Sequence, residues 1–224
     1  MFEAENKKLR IAMLGHKRIP SREGGIEVVV TELATRMFSK GHHVTCYNRN
    51  VHHIGGSKFD GAMPLEYKGV KLKKVWTLDT KGLAALTASF SAALGAAVGK
   101  YDIVHFHAEG PCSMLWIPKL FGKKCIATVH GLDHQRAKWG KFASWYIRRG
   151  EKCAVRFADE IIVLSENVQN YFLKTYGRST VFIPNGVTRP DLVEPNRITD
   201  LYKLEKISIF CFWGVLCRKK VCIT

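Results

Sequence analysis

Strand-like and helix-like segments alternate about seven times along this chain. That order predicts an α/β protein built on a doubly wound parallel sheet with helices on both faces. Three observations carry the prediction. Runs such as "LRIAMLG" (9–15) and "KCIATVHG" (124–131) have the length and continuous apolar character of strands buried on both faces. The segments between them are longer and repeat apolar residues at i, i+3 and i+4. Glycines and polar loops fall where one pattern gives way to the other.

The elements follow in order. After the first strand and a polar loop, "GGIEVVVTELATRMFSKG" places Ile26, Val29, Val30, Leu33, Ala34, Met37 and Phe38 on one helical stripe that Gly41 stops. "HHVTCYNR" is a second short strand. "GVKLKKVWTL" (69–78) alternates Val70 and Leu72 with lysines, the pattern of a strand near a sheet edge. The segment 82–99 is mostly alanine and glycine with three hydroxyls, which predicts a helix packed closely against the sheet rather than a membrane span. "YDIVHFH" (101–107), a helix around "SMLWIPKLFG", and the strand 124–131 come next. The helix "KFASWYIRRGEKCAVRFA", the strand "DEIIVLS" (159–165), the helix "ENVQNYFLKTYG" and "STVFIPNGV" complete the series.

With 224 residues and 46% hydrophobic content, the chain can bury a substantial core. The opening "MFEAENKKLR" has no apolar signal core, so export through a cleaved signal peptide is not expected. Seven cysteines, an odd number without a CxxC pair, suit a reducing cytoplasm better than a disulfide framework. The excess of 35 Lys+Arg over 19 Asp+Glu gives +16, which favours anionic partners. The basic residues are spread through the chain with no zinc-finger spacing and no aromatic RNA-binding signature, so no nucleic-acid partner is expected. Phosphorylated substrates and anionic lipid rank above it. "KWGKFASWYIRR" reads either as a solvated helix face or as a patch for the inner membrane surface.

In sheets of this type ligands collect beyond the carboxyl ends of the strands, where helix amino termini also point. Gly24 and Gly25 occupy that position after the first strand. Glycines there let a ligand reach the backbone, and the unpaired N–H groups attract phosphate. The spacing is not GxGxxG, so the nicotinamide-cofactor fingerprint is absent; a plain tight turn is the competing reading, and Lys17, Arg18 and Arg22 weigh toward an anion. His105 and His107 project on one face of their strand. An HxH pair can ligate metal, but no third ligand is evident, so packing and hydrogen bonding explain it and no metal site is assigned. His130 directly follows the fifth predicted strand, ahead of Gly131, Asp133 and His134. It can face the crevice and hydrogen-bond a sugar hydroxyl or a developing charge, or it can cap the strand end.

Together "GHKRIPSREGGIEVVVTELATRM", "GHHVTCYNR", "YDIVHFHAEGP", "TVHGLDHQRAKWGKFA", "EKCAVRFADEIIVLSENVQNYF" and "VFIPNGV" run in order from residue 9 to about 187. The combination resembles the amino-terminal half of GT-B glycosyltransferases of the large retaining family 4, and within it the rhamnosyltransferase-like enzymes of bacterial surface polysaccharide synthesis. The resemblance implies a Rossmann-like, acceptor-side domain over 1–187, paired in the family with a domain that holds the nucleotide-sugar donor. It implies transfer of a sugar to a glycan or lipid-linked glycan acceptor, with no metal and no organic cofactor. His130 then matches the position facing the transferred sugar. Gly24, Gly25, Arg22, His107, Asp133 and Asn185 match donor-phosphate or substrate-binding positions.

The end of the chain departs from that pattern. After "PNGV" the family continues through a linker, here 188–206, into a strand reading roughly "ILFLGRLVPEKG" whose basic residues hold the donor diphosphate. Residues 207–224 read "ISIFCFWGVLCRKKVCIT" instead. Read one nucleotide earlier with allowed codons, "IFCFW" becomes "ILFL" and "WGVLCRKKVCIT" becomes "GRIVPEKGMHY". The tail is therefore expected to be frameshifted sequence in place of the donor domain, and the 224-residue chain is expected to have little or no transferase activity. The rival account, a metal site from Cys211, Cys217 and Cys222, offers three thiols at loose spacing. The alternative function is a stand-alone glycan- or lipid-glycan-binding module, or one subunit of a split transferase.

Overall fold

The structure, a computed structural model, describes residues 7–22, 24–50, 64–80, 83–132, 140–187 and 200–201. The chain divides into a compact unit of Met1–Asn185 and a second, Gly186–Thr224. The expected linker and tail fall almost entirely outside the described residues.

The first unit is an eight-stranded sheet in the order β3-β4-β2-β1-β5-β6-β7-β8. Its elements are β1 (Arg10–Leu14), α1 (Gly25–Ser39), β2 (His43–Arg49), β3 (Glu66–Tyr67), β4 (Val70–Val75), α2 (Leu83–Val98), β5 (Ile103–His107), α3 (Glu109–Cys112), α4 (Trp116–Leu120), β6 (Lys124–Val129), α5 (Lys141–Phe157), β7 (Glu160–Val163), α6 (Glu166–Tyr176) and β8 (Val181–Phe182). All pairs are parallel except β3 with β4. The doubly wound α/β architecture expected from the sequence is the one observed.

From β1 the chain winds outward through β2 to β4, then returns to the other side of β1 and continues outward from β5 to β8. Right-handed crossovers put helices on opposite faces when the winding direction reverses. Accordingly α1 covers one face, where Val30 and Ala34 pack on Ile11, Met13, Val44, Cys46 and Leu72. The other described helices pack on the opposite face. There the alanines of α2, with Cys112, Leu115, Ala154, Val168 and Phe172, meet Ala12, Leu14, Val104, Phe106, Ala127, Val129 and Ile161. Alanine makes α2 thin, and Gly95 brings the helix close enough that an added Cβ would lie 3.2 Å from the Tyr47 ring.

Two details differ from the sequence reading. The edge strand β4 acquires a short antiparallel partner, β3, through the turn Lys68–Gly69. Both turn residues have positive φ, 47° and 82°, as a two-residue hairpin requires. The helix expected around "SMLWIPKLFG" (113–122) is reduced to α4, and a separate short helix, α3, precedes it. Pro118 has no N–H for the Met114 carbonyl, which accepts from Ile117 N instead (3.1 Å), so the segment between the helices runs in tighter three-residue turns. In α6 the start and stop are those the sequence suggests: Ser165 Oγ accepts from Val168 N, and Gly177 takes the left-handed conformation at the end.

Candidate functional site

The winding direction reverses between β1 and β5, and the carboxyl ends of these strands form the crevice where a doubly wound sheet holds ligand. Gly15, the residue after β1, has φ 107°, and a Cβ there would overlap the carbonyl oxygen of His107. Only glycine lets the loop leave β1 against the end of β5 in this way.

On the α1 side of the sheet, β5 and β6 contribute a run of histidines. The register pairs His107 with Thr128, so His130 emerges two residues further along on the same face. His105 Nε2 lies 2.7 Å from Thr128 Oγ1, the His105 and His107 rings are 4.2 Å apart, and His107 Nδ1 is 3.2 Å from His130 Nε2. His107 is fully buried and His130 half-buried. Burial first, then the neighbouring His105, His130 and His16, holds His107 well below the ordinary histidine pKa, so it is neutral. Its Nε2 is buried without a hydrogen-bond partner. An orphaned N–H is costlier than an orphaned lone pair, so the proton sits on Nδ1 and donates to His130. His130 Nε2 is then the acceptor of that bond.

A second buried network organises the loop after β1. His16 Nε2–H donates to Asn48 Oδ1 (2.9 Å), which also accepts from Ile19 N (3.1 Å), while Asn48 Nδ2 donates to Ile19 O (2.8 Å). Desolvation pulls His16 down to about 4. At the amino terminus of α1, Lys17 N–H donates to Glu27 Oε1 (2.9 Å), and the Glu27 carboxylate lies where a Gly24 Cβ would stand. The glycine turn thus carries a buried carboxylate on its inner side, while Gly25 is exposed with nothing within 4 Å of an added Cβ.

The residues singled out in the sequence separate into groups. His107 and His130 are in contact, and they share the α1 face and the strand-end side of the sheet with Gly24 and Gly25. Arg22 is exposed in the same loop. Asn185 is exposed after β8, at the same end of the sheet but two strands beyond β6, which at strand spacing is roughly 10 Å away. Asp133 lies outside the described residues. Among the described residues no group of three or more His, Cys, Asp or Glu converges on a metal position. Asn48, Glu27 and Arg49 were not singled out. Glu27 had a signal, an acid three residues after a helix-capping position; Asn48 and Arg49 had only their place at a strand end.

The sequence profile described as Glycosyltransferase Family 4 matches residues 23–189, well over half of the chain. The chain belongs to Glycosyltransferase Family 4. No curated protein sequence matches it. Among solved structures, sucrose-phosphate synthase from Thermosynechococcus elongatus superposes with a TM-score of 0.61 at 16% identity, over 81% of this chain and 49% of that one. HepE of Anabaena, in complex with UDP and glucose, gives a TM-score of 0.58 at 16% identity, over 88% and 50%. A shorter form of the same synthase gives 0.52 at 16% identity, over 80% of this chain and 90% of that one. At these identities the likeness establishes the fold, which is that of one half of a GT-B glycosyltransferase. The chain spans about half the length of the first two structures.

Proposed function

We propose that this chain is the acceptor-side half of a retaining glycosyltransferase that moves a sugar from a nucleotide-sugar donor to a glycan acceptor carried on lipid, in bacterial surface polysaccharide synthesis. The observation that carries the reading is the shared location of the exposed Gly25 turn and the half-buried His130 at the strand ends, with His107 fixing the orientation of His130. His130 offers a hydrogen bond to the transferred sugar. The helix amino terminus at Gly25, with Arg22 beside it, offers its partial positive charge to donor phosphate. Arg22, His107, Asp133 and Asn185 are proposed substrate-side positions, His107 acting through His130. No metal and no organic cofactor takes part. HepE, with UDP and glucose bound, is consistent with a nucleotide-sugar ligand.

The chain alone is expected to bind without turnover. A donor-diphosphate grip and the opposite wall of the cleft supply positioning and charge stabilisation, and both lie outside this half. Peripheral contact with the cytoplasmic face of the membrane belongs to the same proposal. Its support is α5, whose exposed stripe of Phe142, Trp145, Arg148, Arg149, Lys152 and Arg156 carries aromatics and cations but no acid. No helix among the described residues is long and apolar enough to cross a membrane.

The test is a titration of the 15N-labelled chain with lipid-pyrophosphate-linked saccharides and with nucleotide-sugars. The expected result is movement of the Gly25 and His130 signals, lost in the His130→Ala variant, with no product formed. If saccharides leave His130 unmoved while duplex DNA shifts it, the reading is wrong; sugar transfer by the isolated chain would overturn the expected inactivity.

A further inference from the structure

Beyond β1 from the histidine run, on the α2 face, a narrow cleft partly open to solvent is lined by Gly15, His16, Tyr47, Arg49, Ser89 and their apolar neighbours. The enclosed part amounts to about 10 Å³, room for one water-sized group and for no whole sugar or nucleotide. It suits one oxygen of an anionic group whose sugar stays at the open mouth of the cleft.

Arg49 ends β2 and is half-buried. Its backbone N–H donates to Lys17 O (2.8 Å), but among the described residues its guanidinium makes no hydrogen bond and no ion pair. Burial lowers its pKa, while Glu27 and Tyr146, at longer range, act the other way. The contrast with Arg10 is informative. That arginine sits at the opposite end of the sheet, more exposed, and is clamped by Asp102 at 3.1 Å. A guanidinium removed from water without an acceptor is unfavourable unless something anionic completes it, and its planar fork suits phosphate or carboxylate. Glu27 does not complete it, because that carboxylate is turned to Lys17 N and Gly24.

A second feature of the same cleft points to ligand. His16 is 2% exposed, its Nε2–H is committed to Asn48, and its Nδ1 has no partner. Neutral Nδ1 accepts a hydrogen bond and cannot bind a bare anion. A fixed cation and a bare acceptor in one small cleft therefore select an anionic group next to a hydroxyl.

We infer that Arg49 and His16 form a subsite for an anionic sugar, with Arg49 holding a phosphate or carboxylate oxygen and His16 Nδ1 accepting from an adjacent hydroxyl. The proposal rests on the acceptor-side reading above only for what molecule the sugar belongs to; binding itself does not depend on transferase activity. It makes an acceptor bearing a sugar phosphate or a uronic acid the preferred class.

The experiment titrates the full 224-residue chain with glucose 1-phosphate, glucuronate, inorganic sulfate and neutral glucose at fixed ionic strength, following amide and arginine side-chain NMR signals. The expected result is saturable binding of glucose 1-phosphate or glucuronate, tighter than sulfate, with shifts centred on Gly15, Arg49 and Ser89. Whichever binds more tightly identifies the anion as phosphate or carboxylate. Arg49→Gln weakens it by roughly ten-fold or more, the loss of a charge-assisted hydrogen-bonding pair, and Arg49→Lys by less. His16→Gln, which keeps a donor for Asn48, removes the preference over sulfate. Absence of saturable binding to both sugar anions overturns the proposal, as does equal affinity in wild type and Arg49→Gln. Should Arg49→Gln fail to fold, Arg49→Lys decides: undiminished affinity contradicts the fork geometry. Saccharide-induced shifts at His130 with no anion binding here would sink this subsite and leave the acceptor-side reading standing.

Discussion

Replacing Gly150 by alanine sets two effects of opposite sign against each other. Gly150 lies inside α5, where alanine gains about 1 kcal/mol in helix propensity. The helix packs there directly on α3. An added Cβ would overlap the Glu109 carbonyl oxygen and come within 2.8 Å of its carbon and 3.2 Å of Ser113 N. These are backbone atoms, so no rotamer change relieves the overlap. α5 must move outward, carrying its fully buried Ala154 away from the equally buried Cys112 and Leu115. Overpacking of this kind costs about 1–3 kcal/mol, with the upper end expected against backbone, and lost contacts of those side chains add to it. The net expectation is about 2 kcal/mol of destabilisation. At about 2–4 °C per kcal/mol for a protein of this size, the melting temperature falls by about 4–8 °C. Gly25→Ala is the internal control: its Cβ meets open space, so the change is neutral or stabilising by up to about 1 kcal/mol. Thermal and urea unfolding of the two variants beside wild type provides the assay. A Gly150→Ala protein as stable as wild type would refute the backbone-contact argument.

Asn48→Ala removes an amide bonded to His16 and to both backbone groups of Ile19, leaving buried polar groups unpaired, and is expected to cost about 2–4 kcal/mol in urea unfolding; a loss under about 0.5 kcal/mol would show that the loop does not depend on it. Burial, the leading cause for both, holds His16 and His105 at about 4, below the unfolded value near 6.5, so the unfolded chain takes up protons that the native state refuses. Stability is then level above pH 6.5 and declines from there toward pH 4, each histidine removing about 2 kcal/mol by pH 5; an unfolding free energy unchanged between pH 7 and 5 would contradict their buried, neutral state. Long-range 15N–1H spectra at pH 7 are expected to show His107 neutral with its proton on Nδ1, and a protonated Nε2 would reverse the assigned direction of the bond to His130. Vesicles of phosphatidylglycerol are expected to sediment the chain while phosphatidylcholine vesicles do not. Arg148→Ser, Arg149→Ser and Lys152→Ser together should reduce binding by at least ten-fold, at about 1 kcal/mol per cation near the surface; undiminished binding by the triple variant would clear α5 of that role.

Where one local rule decides the structure, the sequence was readable. The apolar run at β1, the alternation in β4, the alanine face of α2 and the Ser165 and Gly177 boundaries of α6 each follow from residues within a few positions of one another. β3 was not legible because two residues are too few for a pattern; only the Lys68–Gly69 turn betrays it. The break between α3 and α4 could have been read from Pro118. At the site, Gly25 opens the helix that follows β1 and His130 directly follows β6, and both were visible for that reason. The bond from His107 to His130 was not, because it depends on the β5–β6 register over 23 positions. Arg49 looked like one more basic residue among many. Its significance lies in what surrounds it, the cleft shared with Tyr47, His16 and Ser89, and that is a product of α2 packing across the sheet.

The reversal between β1 and β5 has a kinetic corollary. The crevice is assembled from two blocks of sheet, β3-β4-β2-β1 and β5-β6-β7-β8, each wound largely from neighbouring strands. Gly15 against His107 is the seam between them, and its two sides are 92 positions apart in the chain. Contacts of such long range form late and slow the folding of a chain. Ligand recognition should therefore be among the last properties gained on refolding and among the first lost when the seam parts, with the helical signal still largely intact.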